Sequence, residues 1–199
     1  MVRSRRAFLA CLLLPAAITT ACRSKPAQPP VANLIADLQS ADPAVSGRAS
    51  LELIRVGEPA VPSLVEMLGS GDPRLRTLAT NTLWGMGSKG RAAVPALAGA
   101  LNDREPPLRV AAAMALENMG PDAAPAVPAL IRALKDRDAK VRQWAAKALG
   151  KIGPAAERAV PALAQAAKSE GIRVAAEEAI RQIRGIEGPS DLTPSPISE

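Results

Sequence analysis

The side chains able to do chemistry in this sequence are few, because its 199 residues include no histidine and no tyrosine. Histidine is the usual general base near neutral pH and the commonest ligand of transition metals. A catalytic or metal site would have to be built from Asp, Glu, Lys and Cys alone. The sequence therefore predicts no catalytic residue, no metal and no cofactor, and it favours binding over catalysis.

The two cysteines, Cys11 and Cys22, both lie near the N-terminus. They cannot cross-link a domain that begins after them, so no internal disulfide framework is predicted. Cys22 follows an apolar segment, Ala7 to Thr20, which is preceded by the basic start MVRSRR. An apolar segment of this length is too short for a comfortable membrane span, but it fits a secretory signal peptide.

Two short motifs refine this prediction. Ser4 to Leu9, SRRAFL, resembles the twin-arginine export motif, and Ala21-Cys22 resembles the end of a bacterial lipobox, which usually has leucine where this chain has Thr19. The resemblance implies cleavage before Cys22, lipidation of its thiol and export to the cell envelope. Ordinary signal-peptide cleavage, with Cys22 a free thiol, is the alternative. An aspartate directly after the lipidated cysteine retains some bacterial lipoproteins at the inner membrane. This chain has Arg23 at that position, which favours the outer membrane.

After residue 30 the chain repeats itself at a fixed period. Val-Pro pairs recur at steps of 33 residues, and leucines, arginines, alanines and glycines follow in phase. A fifth copy lies upstream and precedes its partners by 30 residues. A period of this length indicates supersecondary units that bury their apolar faces by stacking. The pairs are Val61-Pro62, Val94-Pro95, Val127-Pro128 and Val160-Pro161.

Each unit is predicted to be a pair of helices, as the segment from Val127 to Gly153 illustrates. Pro128 fits the first turn of a helix, where its missing N–H costs nothing. Apolar residues then recur at helical spacing, and Asp136 or Asp138 can cap the second helix. Gly153 can adopt the left-handed conformation that ends a helix. The sequence thus predicts an all-α fold, an α-solenoid of about five stacked helical hairpins.

The repeated pattern AVPAL…LxD…VRxxAAxALxxIG resembles HEAT repeats, especially the short kind also found in phycobilisome lyase subunits. The resemblance implies a superhelix whose second helices line a concave surface. It divides residues 31–185 into units of 31–58, 59–91, 92–124, 125–157 and 158–185. Outside them lie a predicted signal peptide at residues 1–21, a lipidated cysteine with a proline-rich tether at 22–30, and a disordered tail at 186–199.

The implied concave surface is the predicted binding site. Trp84 stands out on it, because its equivalents Glu117, Gly150 and Arg181 are not core residue types. Exposed tryptophan is enriched at binding hot spots. Packing of Trp84 over the turn at Gly87 is the alternative. The predicted partner-binding residues are Arg74, Asn81, Trp84, Met114, Glu117, Lys140, Gln143, Lys147 and Arg181.

The arginines early in the second helices are predicted to be structural. The HEAT resemblance implies that they bond to acids near the turn between two helices, with Asp72, Asp138 and Glu105 as the acids. Trp144, whose equivalents are apolar, is predicted to lie in the core. Lysines 140, 147 and 151 are interpreted as a solvated helix face, with a small basic patch as the alternative. The predicted structural ladder comprises Asp72, Arg76, Arg109, Asp138, Arg142 and Arg173.

The net charge of the chain indicates which class of partner is favoured. Formal net charge is +6, and removal of the predicted signal peptide, which carries three arginines and no acid, lowers it to +3. So mild a charge does not favour nucleic-acid binding. The sequence predicts an exported, lipid-anchored, non-catalytic scaffold that binds a protein or peptide. The alternatives are a permanent subunit of an envelope complex and a catalytic or non-catalytic subunit of a lyase-like enzyme complex.

Overall fold

The computed structural model describes residues 30–186. The predicted signal peptide, the Cys22 lipidation site and almost all of the tether precede this range, and the predicted tail follows it from residue 187, so these features lie outside the described residues. Between residues 30 and 186 the chain is helical and contains no strand, which confirms the predicted all-α solenoid. No helix in this range is long and apolar enough to cross a membrane.

The helices of the described range form five hairpins, each with a short first helix and a longer second one. The first helices are α1 (Val31–Leu38), α3 (Val61–Leu68), α5 (Val94–Ala100), α7 (Val127–Ala133) and α9 (Val160–Ala166). The second helices are α2 (Pro43–Val56), α4 (Pro73–Met86), α6 (Pro106–Met119), α8 (Ala139–Ile152) and α10 (Arg173–Arg184). Short 3-10 segments join the hairpins at Glu58–Ala60, Gly87–Ala93, Gly120–Ala126 and Gly153–Ala159.

Aspartate side chains cap three of the second helices. Asp42 accepts a hydrogen bond from the backbone N–H of the residue after Pro43, and Asp72 does the same at the start of α4. At α8 the cap is Asp138 rather than Asp136, because Asp138 Oδ1 accepts from the amides of residues 140 and 141. These bonds satisfy N–H groups that the first turn of a helix leaves free.

A glycine ends each of the first four second helices. Gly57, for example, has φ 75° and ψ −134°, and Gly87 has φ 52° and ψ −133°. Residues with a Cβ hardly ever adopt this part of conformational space, so the position requires glycine. The sharp change of direction sends the chain into the 3-10 segment that leads to the next hairpin.

The second helices form the inner layer of the stack. Each one packs closely against the next, from α2 to α10, whereas neighbouring first helices make few contacts with each other. This closely packed layer is the one that the repeat resemblance places on the concave side. Between the layers runs one continuous apolar core, whose fully buried side chains include leucines in phase with the repeat, among them Leu53, Leu83, Leu116 and Leu149.

The predicted arginine ladder exists in the middle of the solenoid, but with different acids. Arg109 Nε and Nη2 donate to Asp136 Oδ2 and Oδ1, both at 2.8 Å, and Arg76 Nη2 donates to Asp103 Oδ1 at 3.3 Å. The assignment of Asp72, Asp138 and Glu105 as the acids was wrong. The first two are occupied as helix caps, and Glu105 precedes α6 without a side-chain cap bond.

The arginines also hold the turns of their own hairpins. Nη1 of Arg76, Arg109 and Arg142 each donates to two backbone carbonyls of the preceding inter-helix turn. Arg142 makes no ion pair with a described residue, because Ser169 stands where Asp103 and Asp136 stand in earlier units. Arg173 is exposed and makes no side-chain hydrogen bond in the described range. The ladder therefore has two complete rungs, which link the second hairpin to the third and the third to the fourth.

The rung between Arg109 and Asp136 is the stronger of the two. It is bidentate, and Arg109 is only 4% exposed. Burial by itself raises the pKa of the Asp136 carboxyl, but the hydrogen bonds from Arg109 and from the amide of Asp138 outweigh it and hold that pKa below its ordinary value. The hydrogen bond to Asp136 likewise raises the pKa of Arg109. Charge-assisted bidentate pairs of this kind are stronger than hydrogen bonds between neutral groups.

Candidate functional site

Two grooves lie on the inner layer of second helices. The first, here the N-terminal groove, has a volume of about 410 Å³ and lies among α2, α4 and α6, where it is lined by Ile54, Asn81, Trp84, Gly85 and Met114. The second, here the C-terminal groove, has a volume of about 580 Å³ and lies among α6, α8 and α10. Its lining includes Gln143, Trp144, Lys147, Lys151, Val174 and Gln182.

Trp84 is an exposed wall of the N-terminal groove. Its side chain is 47% exposed, so it does not fold away over the Gly87 turn. Asn118 of the next second helix holds its backbone, since Asn118 Nδ2 donates to the Trp84 carbonyl at 2.7 Å. The absence of a side chain at Gly85 lets Ile54 of α2 come close, because a Cβ there would lie 2.5 Å from Ile54 Cδ1.

Trp144 corrects a prediction in part, because it packs against the core, as predicted, but is only partly buried and also lines the C-terminal groove. Its side chain is half-buried, and Lys147 Nζ lies 4.3 Å from the centre of its ring. This is the geometry of a cation–π contact. The equivalent positions hold Leu78, Ala111 and Ala175, all smaller than an indole, and the indole of Trp144 lines the groove together with residues of α10.

The two grooves adjoin on α6. Met114 lines the N-terminal groove and Glu117 lines the C-terminal one. Residues three apart on a helix are neighbours on one face, about 5–6 Å from each other. One extended chain lying across α6 at these two residues would therefore enter both grooves.

Charges are unevenly distributed on this face. The N-terminal groove has no charged lining residue, whereas Lys147 and Lys151 line the C-terminal groove with Glu117 and Glu178. Glu178 is engaged by Arg181 and Gln182, and the hydrogen bond from Arg181 is the main reason that its pKa is lowered. Neither lysine forms an ion pair within residues 30–186.

The structure gathers most of the predicted partner-binding residues into the two grooves. Asn81, Trp84 and Met114 meet in the N-terminal groove, and Glu117, Gln143 and Lys147 in the C-terminal one. The other three, Arg74, Lys140 and Arg181, line neither groove. Arg74 instead donates to the carbonyls of Gln39 and Ser40 and so fastens the second hairpin to the turn of the first. Lys140 is exposed in the first turn of α8.

Several groove residues escaped the sequence prediction. Val174 and Ile54 line the grooves, and Leu51 is exposed on α2 one turn before Ile54. A repeat-by-repeat comparison contained the signal, since Val174 is equivalent to Gln143 and Leu51 to Asn81. Both are apolar residues at positions that are exposed in most of the other units.

No group of three or more metal-ligating side chains is found in the part of the chain that the structure describes.

Comparison with known proteins identifies the family of this chain. The sequence profile for HEAT repeats matches residues 31–117 and 94–184. The chain belongs to the HEAT-repeat family. None of the curated protein sequences matches it significantly.

Solved structures of other solenoids share the fold. The complex of CpcE and CpcF of phycocyanin lyase from Nostoc sp. PCC7120 contains a chain with a TM-score of 0.63 and 22% identity, over 75% of this chain and 97% of that one. A designed armadillo repeat protein in complex with the peptide (KR)4 has a TM-score of 0.59 and 18% identity, over 77% and 81% of the two chains. A chain of the Kap95p and RanGDP assembly has a TM-score of 0.56 and 17% identity, over 81% of this HEAT-repeat chain and 25% of its own length.

Proposed function

We propose that this HEAT-repeat protein is a non-catalytic scaffold that binds a protein or peptide through the inner face of its second helices. One observation carries the proposal. The three exposed large apolar side chains of residues 30–186, Leu51, Trp84 and Val174, all lie on second helices. Two of them line the grooves, and the third stands at the repeat position of Asn81. Exposed apolar groups concentrated on one concave face are typical of an interaction site.

Photo-crosslinking from single positions tests this function. A benzophenone amino acid placed at residue 84 or 174 is expected to capture a discrete partner in intact cells, because both side chains project into a groove. The matched controls are residues 66 and 132, which are exposed on the first helices α3 and α7. Crosslinks from 66 and 132 but not from 84 and 174 would place the binding surface on the outer layer and contradict the proposal.

Alanine variants measure the contribution of the apolar side chains. Trp84→Ala is expected to weaken partner binding by about 2 kcal/mol, roughly thirtyfold, as hot-spot tryptophans do. The folding stability of this variant should change little, since the side chain is half exposed. Arg132→Ala, on the outer layer, is the control and should leave affinity unchanged. Titration of purified protein with the captured partner, alongside thermal unfolding, separates the two effects.

We further propose that the protein is exported and anchored by lipid at Cys22, on the periplasmic or outer surface of the envelope. The motif before Cys22 supports this. A Cys22→Ser variant is expected to move from the membrane pellet to the soluble fraction and to lose incorporation of a palmitate analogue, because stable anchoring requires acyl chains. Cys11→Ser is the matched control and should remain in the pellet. Wild-type protein that stays soluble after lysis would contradict lipidation. Sucrose-gradient separation of inner and outer membranes shows in which of the two membranes the protein is anchored.

A subunit of a lyase-like complex is the second candidate. The likeness to a chain in the complex of CpcE and CpcF favours it, because two chains associate there. Under this alternative the captured partner would be a second solenoid that remains bound through purification. Crosslinked peptides identified by mass spectrometry distinguish the two functions, since a scaffold for a reversible ligand should give peptides from a protein that is not a repeat solenoid.

A further inference from the structure

The rim of the C-terminal groove carries two lysines without acidic partners. Lys147 and Lys151 lie one helical turn apart on α8, and neither makes an ion pair within the described residues. On the opposite side, the carboxylate of Glu178 already accepts hydrogen bonds from Arg181 and Gln182. The remaining carboxylate in the lining is Glu117. The groove therefore offers two free positive charges against one free negative charge.

The floor and far wall of the same groove are apolar. Trp144 lies half-buried below Lys147, and Val174 of α10 is 74% exposed. Ala175 and Ala179 complete the wall between them. An exposed valine facing a tryptophan across a groove can gain from burial about 25 cal/mol for each Å² of apolar surface removed from water.

The spacing of the lysines fits an extended chain. Two residues one turn apart on a helix are separated by about 6 Å along its axis. Alternate residues of an extended strand, which point to the same side, are separated by about 6.6 Å. Carboxylates at positions i and i+2 of such a strand could face Lys147 and Lys151 together. The side chain between them would then point to the opposite edge, where Val174 lies.

We propose that the C-terminal groove binds an extended segment of a partner protein with acidic residues at i and i+2 and an apolar residue between them. The inference rests on the proposed function, because it states the partner chemistry of the same face. Gln143 and Gln182, on opposite sides of the groove, carry amides that can bond to the backbone of the segment.

A displayed library of random twelve-residue peptides, selected against the full chain, tests the proposal. Enriched peptides are expected to share the acidic–apolar–acidic pattern. A Lys147→Glu, Lys151→Glu variant should bind a synthetic enriched peptide about tenfold less tightly at low salt and should select basic residues instead. The matched control, Arg132→Glu, Lys135→Glu on the outer helix α7 and the turn after it, makes the same change in charge and should keep the acidic preference. Binding should weaken as salt shortens the screening length.

The outcomes that overturn this inference differ from those that overturn the proposed function. Enriched peptides without acidic residues, or partner peptides crosslinked from residue 174 that lack them, would overturn the acidic motif and leave the scaffold function standing. No enrichment together with no crosslink from residues 84 and 174 would overturn both. Tighter peptide binding by a Glu187→Gln, Asp191→Asn variant would assign the groove to the chain's own residues 187–199. Self-association that charge reversal abolishes would assign it to a second copy, and either result overturns the proposal.

Discussion

Replacement of Asp136 by alanine is expected to lower the free energy of unfolding by about 3–5 kcal/mol, because it leaves the buried Arg109 guanidinium without its counter-charge. Both hydrogen bonds of this pair are 2.8 Å long, and the Arg109 side chain is 5% exposed. The pair joins the third hairpin to the fourth, so its loss should also reduce the cooperativity of unfolding. Urea denaturation followed by circular dichroism measures both the midpoint and the slope.

Two further variants allow the loss of stability in Asp136→Ala to be compared with smaller expected losses. Asp103→Ala breaks the rung to Arg76, which is expected to cost less because only its 3.3 Å contact is a hydrogen bond, the Arg76 Nε lying 3.0 Å from Oδ2 without one, and because the groups are more exposed. Arg132→Ala removes an exposed arginine and should change stability by no more than about 0.5 kcal/mol. Equal midpoints for Asp136→Ala and Arg132→Ala would show that the buried pair does not stabilise the solenoid.

The same pair makes stability depend on acid. The pKa of Asp136 is lowered in the folded protein, so its contribution is fully present above the ordinary value of 3.8 and is lost as pH falls through the lower folded value. The difference in unfolding free energy between wild type and Asp136→Asn is therefore expected to be constant near neutral pH and to shrink below about pH 4. A difference that grew on acidification would contradict the assignment of the shift to Arg109.

Gly150→Ala is expected to destabilise the protein by about 1–3 kcal/mol, the usual cost of overpacking. A Cβ at Gly150 would lie 2.9 Å from the Cα of Ala179 and 2.6 Å from Oε1 of Gln182. The glutamine can turn away, but the backbone of α10 can only move as a helix. Separation of α8 from α10 would also widen the C-terminal groove, so peptide affinity should fall together with stability.

Gly47→Ala is the matched control for Gly150→Ala, and it is expected to raise the stability that Gly150→Ala lowers. Gly47 lies inside α2, and a Cβ there would meet nothing within 4 Å. Alanine is favoured over glycine in a helix interior by about 0.8–1.0 kcal/mol, so this variant should be more stable than wild type. Chemical denaturation of the two variants in parallel checks both signs. A stabilised Gly150→Ala protein would show that α8 and α10 are not in the close contact described.

The parts of this solenoid that depend on local chemistry were predictable. Asp138, one of the two candidate caps of α8, caps that helix because a carboxylate before a helix start has free N–H groups within reach, and Gly153 ends the same helix at a positive φ of 73°, which few other residues adopt. The exposure of Trp84 also followed from the repeat, since equivalent positions carried Glu117 and Arg181. Each of these inferences uses one helix or one column of the repeat at a time.

The predictions that failed are those that depend on the distance between neighbouring units. Arg109 pairs with an acid 27 residues away in the next turn, and the sequence alone does not show which of several nearby aspartates the stacked geometry brings within 3 Å. Trp144 was placed in the core because its equivalents are apolar, whereas in the structure it packs against the core and also lines the groove between α8 and α10. Arg74 was assigned to the binding face, whereas the turn of the previous hairpin binds it.

The sequence by itself determined the repeat, the helical hairpins, their caps and their solenoid order, because a period repeated five times leaves few ways to bury the apolar faces. Only the tertiary structure decided which residues form the binding face. Side chains from three neighbouring second helices line each groove, and Met114 and Glu117 place the two grooves next to each other on α6. Packing between neighbouring units decides these positions, and the type of a residue does not show which residue of the next unit it will contact.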